Sequence, residues 1–114
     1  MVRFKDIRLI ALDLDDTTLC SDGSLADKTR EAIEAAISSG IEIVIASGRA
    51  FNSLPRAVAE ICGIRYAITS NGAAVAKNPG GERIVSLTLH PDTVQDILGL
   101  FGNEPLECFI DGQA

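Results

Sequence analysis

Three carboxylates, Asp13, Asp15 and Asp16, crowd into four positions directly after the apolar run Leu9-Ile10-Ala11-Leu12. Like charges packed this closely raise one another's cost of ionisation. A bound cation would relieve the repulsion, and hard oxygen ligands of this kind suit Mg²⁺. Asp13 and Asp15 are separated by one residue, so an extended backbone through Leu14 would turn both side chains to the same side. Two neighbouring carboxylates can divide labour: one stays ionised as metal ligand and nucleophile, while the other moves a proton. That second role would need Asp15 to titrate above the ordinary Asp value of about 3.9.

Two further turns carry complementary chemistry. Ser47-Gly48-Arg49 follows the β-branched run Ile41-Glu42-Ile43-Val44-Ile45-Ala46, and Ser70-Asn71-Gly72 follows Ile64 to Thr69. Ser47 offers a hydroxyl, and Gly48 allows a close backbone approach at a helix start, where free N–H groups favour an anion such as phosphate. Arg49 can grip phosphate oxygens in a fork. Asn71 and Gly72 add a polar side chain and an unobstructed backbone.

The elements that must hold these turns follow from periodicity. Residues 8–14 read as a first strand. Ser24 is a candidate cap for a helix over 25–39, with Asp27 favouring its dipole, Ala32, Ile33, Ala36 and Ile37 at helical spacing, and Gly40 as the stop. Residues 41–46 form a second strand. Phe51, Leu54, Val58 and Ile61 suggest a second helix up to Gly63, with Pro55 tolerable only in its first turn. Residues 64–69 form a third strand. Strand, helix, strand, helix, strand means a parallel sheet, which places all three turns at one edge, where open α/β sheets bind ligands.

After Gly72 the pattern changes. Ala73 to Lys77 and Glu82 to Leu89 flank Asn78-Pro79-Gly80-Gly81, the signature of a hairpin. Pro91 opens a third helix with Val94, Ile97, Leu98 and Phe101 on one face, and Leu106 to Ile110 reads as a last short strand. His90 is expected to be a capping or surface residue at that helix start. Asp92, Asp96, Glu104 and Glu107 read as a solvated acidic face, and Asp111-Gly112 as a turn. The expected division is a parallel part, residues 1–71, and an α+β part, residues 72–114.

Bulk properties narrow the function. With 46% hydrophobic and 23% charged residues in 114, the chain has a globular composition. Its formal net charge of −6 and scattered Lys and Arg argue against nucleic acid as a partner. Its three cysteines are far apart and odd in number, which suits reduced thiols rather than a disulfide framework. No apolar run approaches a membrane span, and Asp13 interrupts the N-terminal run before it could act as a signal. The expectation is a cytoplasmic protein without a membrane partner.

Asp13-Leu14-Asp15-Asp16-Thr17 resembles the first motif, DxDGT, of the haloacid dehalogenase (HAD) superfamily. Ser47-Gly48-Arg49 resembles its second motif, and Ser70-Asn71-Gly72-Ala73 the junction into the cap of its Cof-type, subclass IIB, phosphatases. The fold implied is α/β: a three-layer Rossmann-like core with its first three parallel strands, residues 1–71, followed by the first part of an α+β cap, residues 72–114. The activity implied is Mg²⁺-dependent hydrolysis of a small phosphorylated metabolite such as a sugar phosphate, through an aspartyl-phosphate. By the resemblance, Asp13 is the nucleophile and Asp15 the general acid/base, and both contribute to Mg²⁺, Asp15 through its backbone carbonyl. Ser47 holds the phosphoryl group, with Gly48, Arg49, Asn71 and Gly72 lining the phosphate pocket. Asp16 stands where the family usually has Gly.

The family's third-motif Lys and fourth-motif acids have no counterpart here, and Lys28 and Lys77 do not replace them. The expectation is therefore an N-terminal portion, weakly active or inactive by itself, that self-associates through exposed sheet or cap surface. A non-catalytic binding or oligomerisation module built on the same fold is the alternative. A response-regulator receiver is set aside, because the third strand ends Ile68-Thr69-Ser70-Asn71 without the required Asp.

Overall fold

The computed structural model describes residues 6–110, so Asp111-Gly112 lies outside the described residues. Five strands form one mixed sheet in the order β1 (Leu9–Leu12), β2 (Glu42–Ala46), β3 (Tyr66–Thr69), β4 (Ala74–Lys77) and β5 (Arg83–Ser86). The first three run parallel, with Leu9 opposite Glu42, Leu12 opposite Ile45, and Ala46 opposite Ile68. β4 turns back antiparallel on β3, with Thr69 opposite Ala74, and β5 pairs antiparallel with β4. The change from parallel to antiparallel pairing falls at residues 70–73, while the sheet itself continues to β5.

β2 lies inside the parallel part. Ile43, Val44 and Ile45 are all buried, as expected of a strand covered on both faces. They join Leu14, Leu19, Ile33, Leu54, Val58, Ile61, Ile64 and Ala67 in or beside the core. Helix α1 (Asp27–Ser38) packs on β2 and ends at Gly40, whose φ of +84° only glycine adopts cheaply. Helix α3 (Pro91–Phe101) starts with Pro at N1, and His90 Nδ1 accepts a hydrogen bond from the Asp92 N–H at 3.3 Å, so His90 caps it as expected.

Three local expectations are corrected. Ser24 does not cap α1: its N–H and hydroxyl both donate to Asp22 Oδ1, and Ala26 occupies the N-cap without a side-chain bond. The second helix is broken into a 3₁₀ turn, Phe51–Ser53, and a short α2, Arg56–Ala59, with Pro55 as the N-cap of α2. The proline ring cannot continue a helix through its own position. Leu106 to Ile110 is not a strand and makes only an isolated bridge at Ile110. The apolar face of α3 stays partly exposed: Val94, Ile97, Leu98 and Phe101 are 36%, 36%, 46% and 50% exposed.

Candidate functional site

The first turn begins where β1 ends. Asp13 and Asp15 keep extended backbones, at φ/ψ of −71°/145° and −66°/129°, and Asp16 flips to φ 58°, ψ 12°. Leu14 between them is fully buried, while both aspartates are exposed. The buried leucine thus anchors the turn and leaves two carboxylates on its outer side. Thr17 Oγ1 donates to Asp13 Oδ2 at 2.6 Å, fixing one oxygen of that carboxylate. The left-handed backbone at Asp16 explains why glycine suits this position; aspartate is among the few side chains that tolerate it.

The second and third turns are tied together. Ser47 N–H donates to Ile68 O at 3.0 Å, and Ser70 N–H donates to Arg49 O at 2.8 Å. Ser47 is 8% exposed, and its Oγ accepts from the Arg49 N–H at 3.2 Å, so the hydroxyl is held at the turn. A Cβ on Gly48 would lie 2.7 Å from Asn71 Oδ1, so the missing side chain is what lets the two turns close on one another. Ser70 and Asn71 both adopt φ near 53°, followed by Gly72 at φ 89°. Three consecutive left-handed residues end β3. Such strain gathers where surrounding structure over-determines the backbone, as it does at binding sites.

Arg49 joins the second turn to the first. Its Nε and Nη2 donate to Asp15 Oδ2 and Oδ1 at 2.9 and 2.7 Å, a bidentate ion pair, and Nη1 donates to Ser53 O at 3.2 Å. This hydrogen bonding holds the Asp15 carboxyl below its ordinary value. The direction is opposite to what a proton donor needs, and the Arg49 guanidinium is engaged by the Asp15 carboxylate.

Asp15, Gly48, Arg49 and Asn71 line one open cleft of about 430 Å³, together with Ala50, Ser53, Glu107 and Phe109. Asp13, Ser47 and Gly72 belong to the same three turns but do not line that cleft. Ser53, Glu107 and Phe109 are the residues that sequence reasoning missed. Glu107 read as a solvated acid, and only its return beside Arg49 in three dimensions marks it. Among the described residues, no group of three or more His, Cys, Asp or Glu side chains is disposed to hold a metal ion. Mg²⁺ commonly takes one or two carboxylates and leaves its other positions to water and phosphate oxygens. Asp13 offers one carboxylate, whereas the Asp15 side chain is committed to Arg49.

A family model for haloacid dehalogenase-like hydrolases matches residues 10–113. Phosphatase YwpJ of Bacillus subtilis is 32% identical over 98 residues, which make up 86% of this chain and 34% of that protein. A solved haloacid dehalogenase-like hydrolase from B. subtilis matches with a TM-score of 0.73 at 32% identity, covering 85% of this chain and 34% of its own. A solved sugar phosphatase of HAD subclass IIB gives a TM-score of 0.71 at 26% identity, with 84% and 37% covered. The chain spans about a third of the length of the curated relatives it matches. No helix among the described residues is long and apolar enough to cross a membrane.

Proposed function

This chain belongs to the haloacid dehalogenase-like hydrolases, and from that premise we propose that it carries the nucleophile-bearing part of a Mg²⁺-dependent phosphatase acting in the cytoplasm on a small phosphorylated metabolite such as a sugar phosphate. The observation that supports this most is the convergence of three strand-end turns, with Asp13 and Asp15, Ser47 to Arg49, and Asn71, on one sheet edge. The sugar phosphatase among the structural neighbours supports the substrate class.

In this reading the Thr17 hydroxyl holds Asp13 Oδ2 and leaves Oδ1 to attack phosphorus. The bond from phosphorus to the ester oxygen breaks as the Asp15 carboxyl gives that oxygen a proton, and an aspartyl-phosphate remains. Water then attacks the phosphorus while Asp15 takes its proton, which releases phosphate and restores the Asp13 carboxylate. Ser47 and Arg49 orient the phosphoryl oxygens, and Asn71 closes the pocket beside Gly48. Arg49 can do so only by exchanging Asp15 for phosphate, which also frees Asp15 to carry a proton. Mg²⁺, when bound, would neutralise charge on the phosphoryl group, held by the Asp13 carboxylate and the Asp15 carbonyl.

The division proposed is a partial core, residues 1–71, and a partial cap, residues 72–114, with the β4–β5 hairpin bridging the two through the shared sheet. The uncovered apolar side chains Leu87, Leu89, Leu98, Leu100 and Phe101 provide a surface for self-association. Beryllium fluoride with Mg²⁺ tests the reading, because it forms an acyl-phosphate mimic on a reactive aspartate. An adduct seen by ¹⁹F NMR and lost in Asp13→Asn is the expected result; no adduct, or one that persists in Asp13→Asn, would remove Asp13 from its role.

A further inference from the structure

The sheet has two outer edges, and they differ. β5, at one edge, carries the charge of Arg83 and pairs with β4 through an irregular register. Charges and irregularities of that kind blunt an edge against further pairing. β1, at the other, has neither: Leu9–Leu12 is a regular, uncharged run, and among the described residues only β2 pairs with it. Arg8 O accepts from the Glu42 N–H at 2.8 Å. In a parallel ladder alternate residues spend both backbone groups on the same neighbour. Arg8, Ile10 and Leu12 therefore serve β2, while Leu9 and Ala11 turn their N–H and C=O groups outward. Both of these residues are exposed, Leu9 to 56%. On the face where α1 lies, Ile10 and Leu12 line an apolar groove of about 230 Å³ with Ala32, Ile33 and Ala36.

We propose that β1 is a dimerisation strand: two copies of this chain join edge to edge, antiparallel about a twofold axis normal to the sheet, into one continuous sheet. Such an axis keeps each face of the sheet on its own side, so only residues of like alternation can stand opposite one another. Two registers satisfy this. One centred on Ala11 would set Leu9 against the partner copy's Asp13. One centred on Ile10 sets Leu9 against Ala11 and keeps apolar side chains together at its centre. The two Leu9–Ala11 pairs of that register exchange about four backbone hydrogen bonds, and the Ile10 pair closes the open side of the groove. Charge selects both the occupant and the direction. The run is bounded by Arg8 before it and Asp13 after it. Antiparallel self-pairing sets the Arg8 end of each strand beside the Asp13 end of the other, whereas parallel pairing would align like charges. The first turn of the candidate site thereby gains a neighbouring cation from the partner copy. This surface is distinct from the exposed side chains of α3.

Sedimentation velocity on the whole chain, over a wide concentration range, should show a monomer–dimer equilibrium. Backbone amide exchange at Leu9 and Ala11 should slow as the dimer fills. Leu9→Lys and Ala11→Glu, both at exposed positions, should each weaken dimerisation about tenfold. The double variant should recover most of that loss, because the register places the two new charges opposite one another. Arg8→Glu, exposed and just outside the strand, should weaken the dimer as well, since it sets an acid beside the partner copy's Asp13. A chain that stays monomeric at millimolar concentration overturns the proposal. So does a dimer that ignores the variants at residues 8, 9 and 11 but is lost in Leu98→Glu, which would put association on α3 instead. Weakening by the single variants without recovery in the double variant overturns the antiparallel register. None of these readouts requires phosphate or catalysis, so the phosphatase reading stands or falls separately.

Discussion

Two glycines present the same steric problem and should respond oppositely to alanine. At Gly63, a new Cβ would lie 2.6 Å from Ile37 Cγ2 and 3.4 Å from Ile37 Cδ1. Ile37 packs against the core, and the backbone there has φ +99°. Gly63→Ala therefore incurs a left-handed backbone cost of about 1–2 kcal/mol and an overpacking cost of about 1–3 kcal/mol. Allowing for partial relaxation, we expect about 2–4 kcal/mol of lost stability, at roughly 4 °C of Tm per kcal/mol for a domain of this size. At Gly48 the clash is nearly as close, 2.7 Å, but the obstacle is the tip of the exposed Asn71 side chain, and φ at Gly48 is not positive. Asn71 can swing away, so Gly48→Ala should cost less than about 1 kcal/mol. What it loses is the closed arrangement of the second and third turns. Removing one polar contact to an anion in this way should weaken binding of inorganic phosphate about tenfold. Thermal melts and phosphate titrations on both variants provide the check. Equal destabilisation by the two alanines, or unchanged phosphate affinity in Gly48→Ala, would refute the claim that Gly48 exists for the site.

Other substitutions probe individual links. Asp16→Gly should stabilise the chain by about 0.5–1 kcal/mol in urea unfolding, since it relieves a left-handed aspartate, whereas Asp16→Val should destabilise it by about 1–2 kcal/mol. Thr69 is fully buried, and its Oγ1 finds no hydrogen-bond partner among the described residues. Thr69→Val should thus be neutral or stabilising by about 1 kcal/mol, and a clear loss of stability would reveal a partner for the hydroxyl. The Asp15 carboxyl, held low by Arg49 hydrogen bonding, should titrate higher in Arg49→Gln when followed by carbon-detected NMR. Because the folded value lies below the unfolded one, the pair's contribution to stability is present above the ordinary Asp value of 3.8 and fades as pH falls through the lower folded value. Arg49→Gln should accordingly flatten the acid limb of the stability curve; an unaltered limb would mean the pair contributes nothing in solution.

Much of the fold was legible because its signals are local. Residues 8–14, 41–46 and 64–69 read as strands from short apolar or β-branched runs closed by small polar residues, and strands form within them at Leu9–Leu12, Glu42–Ala46 and Tyr66–Thr69, with their turns at the same edge. The hairpin was readable from Asn78-Pro79-Gly80-Gly81, and the start of α3 from Pro91. Errors fell where two local signals competed. Ser24 resembles a cap, but its hydroxyl is turned to Asp22 and the helix starts only after Ala26, two residues further on. Phe51 to Ile61 has helical spacing, yet Pro55 dictates a break that spacing alone does not register. Leu106 to Ile110 has strand composition but makes only one bridge.

The sequence by itself determined the chemical inventory of the site and its placement at one sheet edge, because strand–turn signals and parallel connectivity are written in neighbouring residues. Only the tertiary structure decided that Arg49 grips Asp15 rather than standing free, that Gly48 makes room for Asn71, and that Glu107 and Phe109 return to face them. These contacts join residues far apart along the chain. No periodicity records them, because they are fixed by how the β1–β3 turns and the segment after α3 come together in space.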